Sequence, residues 1–216
     1  MTHLSRTSPH FPAFAEIIAS SLSGYTAQCW LFDNSPSFGS LVCVDTKNGT
    51  LYGIVTNLET GSSDPQRLPF PYQKTEEELR RDHPQIFEFL RTTFTVSIAG
   101  HKATGDQTIA YVLSPSPAPI HGFVRPATDA EQAFFFSSPH FLSVLCSSNN
   151  ANTLFDELLV SLLNNIIRDD LLSPALFESY YHTLTLLLGN DYRRLKIMLA
   201  RIETEQASLL EKQLGL

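Results

Sequence analysis

Apolar and polar positions change their period along the chain. The change divides it into a front half of short alternating segments and a rear half of helical stripes. The segment "AFAEIIASSL" (Ala13 to Leu22) spaces Phe14, Ile17, Ile18 and Leu22 as one helix face, and Gly24 stands where a helix stop belongs. Alternating and β-branched runs follow in "YTAQCWLF" (Tyr25 to Phe32), "SLVCVDT" (Ser40 to Thr46) and "TLYGIVTNLE" (Thr50 to Glu59). Asn48-Gly49 joins the last two and is a strong signal for a tight hairpin, so these two strands are expected to pair antiparallel. After Gly61 the chain enters "SSDPQRLPFPYQ", too rich in proline to pair in a sheet.

A helical insertion is predicted over about 75–90. Thr75 followed by Glu78 makes a capping box, and Pro84 breaks the helix after Asp82-His83 and opens a second short one with Ile86, Phe87 and Leu90 facing inward. Strands resume with "TTFTVSIAGHK" (Thr92 to Lys102). "GDQTIAYVLSP" is expected to fold back on it across Ala103–Gly105, and "IHGFVRPA" reads as an edge strand. From Asp129 the pattern is helical. Pro139 divides "DAEQAFFFSSPHFLSVLCSS", and Leu154, Phe155, Leu158, Leu159, Leu162, Leu163, Ile166 and Ile167 form a broad stripe. Ser173-Pro174 opens the next helix, Gly189 ends it, and Asn190 or Asp191 caps the last; short turns between them imply an antiparallel bundle.

The fold class is therefore α+β. Residues 1–14 read as a flexible tail, 15–126 as a small closed β-barrel of about six strands with its helical insertion after the third, and 127–216 as a helical region. Strands this few and short close more readily than they stack. Closure needs sharp local bending, which glycine permits. Gly39, Gly49, Gly53 and Gly100 lie at or inside strand segments and are the expected structural glycines.

The stretch "FGSLVCVDTKNGTLYGIVTNLETG", with Gly39, Asn48-Gly49 and "GIV" at Gly53–Val55, resembles the HAS barrel. This domain is shared by HerA-type DNA-translocating ATPases and the N-terminal crowns of F-type ATP synthase subunits. "LRTTFTVSIAGH" and "LLLGNDYRRLKIMLARI" extend the resemblance to standalone proteins with a barrel and a helical tail. In the resembling ATPases such barrels contribute to ring assembly and partner docking. HAS barrels usually precede an ATPase core, but no GxxxxGK[ST] occurs in this chain, and "GHKATGDQT" fails as a phosphate loop because Lys102 lacks the required flanks. The resemblance implies a fold and an interaction habit, and not ATP hydrolysis.

Composition narrows the chemistry further. The net charge of −7 gives no global attraction to nucleic acid, and no apolar run is long enough to span a membrane. The polar, proline-broken start lacks the apolar core of a secretory signal. Cys29, Cys43 and Cys146 are odd in number and lack metal-ligand spacing, so they are expected as free thiols in a reducing compartment. A cytoplasmic location follows as the expectation.

No catalytic motif emerges, and neither a cofactor nor a metal is expected. His83 beside Asp82 is explained by the helix break; His101 and His182 have no nucleophile partner. Glu76–Glu78 suit the positive end of a helix, and Asp169-Asp170 a helix cap. The candidate interface lies elsewhere. Arg67, Phe70 and Tyr72 sit on the stiff proline loop. Arg193, Arg194, Lys196 and Arg201 form a basic stretch on the last helix, with Arg194 and Arg201 one heptad apart; Leu209, Leu210 and Leu214 extend an apolar line beyond it. Each also has a bland reading, as a cover for the barrel mouth or a solvated helix face. The expected function is a non-enzymatic interaction or assembly module that binds a protein partner or self-associates; the alternative is an accessory protein of a DNA-translocating or nucleic-acid-processing ATPase system.

Overall fold

The computed structural model describes residues 13–202, apart from 65, 67, 68, 150–153, 190 and 192. Six strands close into an antiparallel barrel in the order β1-β2-β5-β4-β3-β6. They are β1 (Ala15–Ser20), β2 (Gly24–Cys29), β3 (Leu41–Thr46), β4 (Gly49–Ser62), β5 (Leu90–Ala103) and β6 (Phe123–Pro126). The closed α+β architecture and the strand number agree with the sequence reading, but two of the strands do not.

The first expected helix is β1. Its burial alternates, with Ala15 and Ile17 inside and Ile18 outside. Over six residues a period of two and a period of 3.6 select overlapping apolar positions, and barrel closure decides between them: Ala15 pairs with Cys29 on one side and Val124 on the other. Gly24 accordingly opens β2 instead of stopping a helix; a Cβ there would lie 2.3 Å from the Val96 carbonyl oxygen. The expected strand "GDQTIAYVLSP" is absent; only Ala110 bridges to His101 before the chain leaves for the prolines. β6 is not an edge but the closing strand, paired to both β1 and β3. The helical insertion thus follows the fourth strand and not the third.

Hairpin chemistry is as expected. Thr46 pairs with Gly49 across the Asn48-Gly49 turn, and the Thr46 hydroxyl donates to the Gly49 carbonyl at 2.8 Å. Gly49 has φ +132°, and a Cβ there would fall 2.0 Å from the Lys102 carbonyl oxygen. The insertion contains α1 (Glu76–Asp82), with the complete Thr75–Glu78 capping box, and a 3-10 turn (Pro84–Phe89). Ile86, Phe87 and Leu90 are only half-buried. Phe32 stacks on Phe87, and the Arg80 guanidinium lies 4.7 Å from the Phe87 ring centroid.

The rear half comprises α2 (Asp129–Phe136), α3 (Phe141–Asn149), α4 (Phe155–Arg168), α5 (Pro174–Leu187) and α6 (193–202). Ser173 caps α5, and Asp191 accepts from the Arg194 amide at the start of α6. Leu209, Leu210 and Leu214, and most of the expected N-terminal tail, lie outside the described residues.

Two apolar cores result. One fills the barrel, with Ile17, Tyr25, Val42, Val44, Leu51, Phe94 and Val96 inside. The other lies between the barrel wall and the helices. Leu41, Cys43, Tyr52, Ile54 and Ala99 face outward from the strands onto Phe135, Phe141, Leu158, Leu162 and Tyr180. The β3 and β4 positions thus read as near-continuous apolar runs because both faces are covered.

Candidate interaction surface

The barrel lumen is filled by the side chains of one apolar core. Gly53 contributes to that packing. A Cβ on it would sit 2.3 Å from Val96 Cγ1 and 3.2 Å from the Ser97 carbonyl oxygen, and the β4–β5 register slips beside it, between Tyr52 and Gly53. The close approach at a bulge is the reason for the glycine. Gly39, at φ +76°, lets the chain pass α4, where a Cβ would lie 3.1 Å from the Leu162 amide nitrogen; Gly100 gives similar room to Ala110 and Phe135.

The barrel wall joins α2 through Arg125 of β6, which is 8% exposed. Its five N–H donors all find acceptors. Nε and Nη2 donate to Asp45 at 2.7 and 3.0 Å, Nη1 and Nη2 to Glu131 at 2.8 Å each, and Nη1 to the Pro126 carbonyl at 3.3 Å. Asp45 also accepts from Thr50, and Glu131 from the Thr128 amide and hydroxyl. Burial pushes the Glu131 carboxyl up, but the hydrogen bonds from Arg125 and Thr128 outweigh it and hold its pKa below the ordinary value. Such a saturated arginine has no donor left for a ligand, so the cluster is a clasp.

The sequence-derived interface residues separate into distinct places. Phe70 is 71% exposed, and its ring meets Tyr72 edge-on at 5.5 Å; Tyr72 in turn lies over the His83 ring at 5.3 Å. Arg67 falls outside the described residues. The basic stretch behaves differently from the expected free patch. Arg194 and Arg201 do share a face of α6, but that face turns toward α4: Arg194 pairs with Asp156, and Arg201 binds Glu157 in a two-pronged contact at 2.6 and 2.7 Å. Arg193 and Lys196 remain exposed. The last helix therefore uses half of its positive charge to dock on its own molecule.

Sequence reasoning misses a second aromatic pair. Trp30 and Phe123 are 52% and 53% exposed and meet edge-on at 5.4 Å on the outside of the barrel. Ile18 in β1 and Ile120 before β6 are exposed as well. The signal is the alternation itself: Cys29 points inward, so Trp30 must point outward. It stays hidden as long as β1, which brings β2 and β6 together, reads as a helix.

Burial pushes the Cys29 and Cys146 thiols up to about 11 and the Cys43 thiol higher still, so all three are protonated and unreactive near neutral pH. His83 lies between α1 and the 3-10 turn, His182 is exposed on α5, and His101 faces the Val112 carbonyl. No group of three His, Cys, Asp or Glu side chains is placed to hold a metal ion among the described residues, and no helix there is long and apolar enough to cross a membrane. A cleft of about 360 Å³ opens where the loop before β3 meets α4, between Ser37, Gly39, Ser40, Phe136, Asn165 and Ile166. No protein-family model matches the chain, and no curated protein does.

Proposed function

We propose that the protein is a non-enzymatic interaction module on a HAS-like barrel, and that it works by binding another protein through the outside of its barrel. The observation that carries this reading is the placement of large aromatics. Trp30–Phe123 on the barrel wall and Phe70–Tyr72 on the insertion after β4 stand exposed in pairs, and the barrel lumen is filled by an apolar core. Aromatic side chains supply a large contact area at low entropic cost and dominate binding hot spots. An isolated exposed apolar residue needs no explanation, but paired aromatics rimmed by polar groups such as Glu16 and His121, bonded at 2.6 Å, mark a contact surface.

The nucleic-acid reading draws no support from the charges. The net charge is −7, and Arg194 and Arg201 are neutralised by α4. The test is light scattering after size exclusion, combined with affinity purification from cells using the parent and a Trp30→Asp/Phe123→Ser variant. A partner or oligomer that is lost in the variant supports the reading. A monomeric protein with no co-purifying partner overturns it.

A further inference from the structure

β4 and β5 are each fourteen residues long, but β3 covers β4 only as far as Ile54. Val55 closes that side through the Gly39 amide and the Ser40 carbonyl. From Asn57 to Gly61 β4 pairs with β5 alone, and its other edge has no backbone partner among the described residues. Gly61 faces open space. Gly39 and Ser40, which close the edge at Val55, also line the cleft beside α4, so the free edge ends beside that cleft.

We propose that this edge takes up an extended peptide from a partner protein as an added antiparallel strand in line with β3, with a Lys or Arg opposite Glu59 and an apolar side chain in the cleft. This rests on the interaction reading above and specifies its partner. Main-chain bonds to an open edge supply affinity and a pocket along it supplies selection. Charge decides the occupant. Glu59 is exposed, accepts from the Asn57 side chain at 3.0 Å, and has no cationic partner among the described residues. A second copy pairing along the whole edge would set Glu59 against its own equivalent, and directly opposed like charges are destabilising. A cationic segment removes that conflict. Val55 lies four residues before Glu59, about 13 Å along a strand, and its edge is taken by Gly39 and Ser40, so the peptide leaves β4 there and sets its apolar residue in the cleft about four positions after the cation.

A displayed library of random dodecapeptides, selected on the full chain, tests this. Recovered peptides are synthesised with a fluorescent label and their binding is followed by anisotropy and by amide exchange. The expected result is a cation about four residues before an apolar residue, slowed exchange over 57–61, and binding weakened at least tenfold by Glu59→Lys but unchanged by Arg193→Glu. Both substitutions are at exposed positions, and circular dichroism verifies the fold. The inference is overturned if no peptide is enriched, if bound peptides leave 57–61 unprotected, if Glu59→Lys binds equally well, or if the edge is protected by dimer formation alone. Should peptides fail while a Trp30/Phe123-dependent partner persists, only the edge assignment falls.

Discussion

Gly53 and Gly61 occupy the same strand and make opposite demands. A methyl group on Gly53 would penetrate Val96, whereas on Gly61 it would touch nothing within 4 Å. Gly53→Ala is expected to cost about 1–3 kcal/mol through overpacking. Gly61→Ala is expected to be neutral or to stabilise by about 0.5 kcal/mol, because it restricts the unfolded chain. Urea denaturation of the two variants beside the parent measures both; equal effects would show that the Val96 contact does not constrain β4. Arg125 gives the second prediction at this scale. Arg125→Met leaves Glu131 without its main ionic partner in a partly buried place, and about 3 kcal/mol should be lost at neutral pH. The pH dependence has a definite sign. Because the folded-state pKa of Glu131 is depressed, its contribution is complete above the ordinary glutamate pKa and is lost as pH falls through the lower folded value. Denaturation midpoints of parent and variant should therefore converge toward acid pH. A constant gap would show that the clasp acts by packing alone.

Elements with a local chemical signature are legible in the amino-acid sequence alone. Thr75–Glu78, Asn48-Gly49 and Ser173-Pro174 each satisfy backbone groups within a few residues, so their sequence carries its own instructions. β1 and β6 are less legible, because each is defined by partners distant in the chain: Ala15 meets Val124, and Cys43 meets Arg125. The same distance hides the Trp30–Phe123 pair and the Arg125 clasp, whereas Phe70 and Tyr72 are visible as aromatics between prolines. The pairing of Arg194 and Arg201 with α4 cannot be read from α6, whose heptad spacing shows a shared face but not what it meets. The caps themselves yield a test. Thr128 caps α2, within the clasp, and Thr75 caps α1 on the exposed insertion, which buries no residue. Thr128→Ala should lower global stability by about 1 kcal/mol. Thr75→Ala should accelerate amide exchange in α1 with little change in the global midpoint, since α1 can open alone. Equal global losses from both would mean that the insertion unfolds together with the barrel.

At the scale of the molecule, the decisive feature is that barrel and helices share a core. Leu41, Cys43, Tyr52, Ile54 and Ala99 are barrel residues whose side chains share one buried core with the helical half. Removing the helical half would expose an apolar wall, so the two halves should unfold together. Phe141 of α3 is suited to the test. It is fully buried, with ring centroids of Phe135, Phe136 and Tyr180 at 5.2, 5.5 and 5.9 Å. Phe141→Ala should cost about 3–5 kcal/mol through lost burial and the cavity left behind. Two probes report on different halves: fluorescence of Trp30, the sole tryptophan, follows the barrel, and circular dichroism at the helical minimum follows α2 to α6. If the core couples them, both probes give one midpoint in the parent, and both shift equally in Phe141→Ala although Trp30 lies on the outer wall of the barrel. A helical signal that is lost early, with unchanged tryptophan fluorescence, would instead show a barrel that stands without its helices. The first outcome has a consequence for partner binding: a peptide added to the β4 edge would stabilise the helices as much as the strands, because Gly39 links that edge to α4.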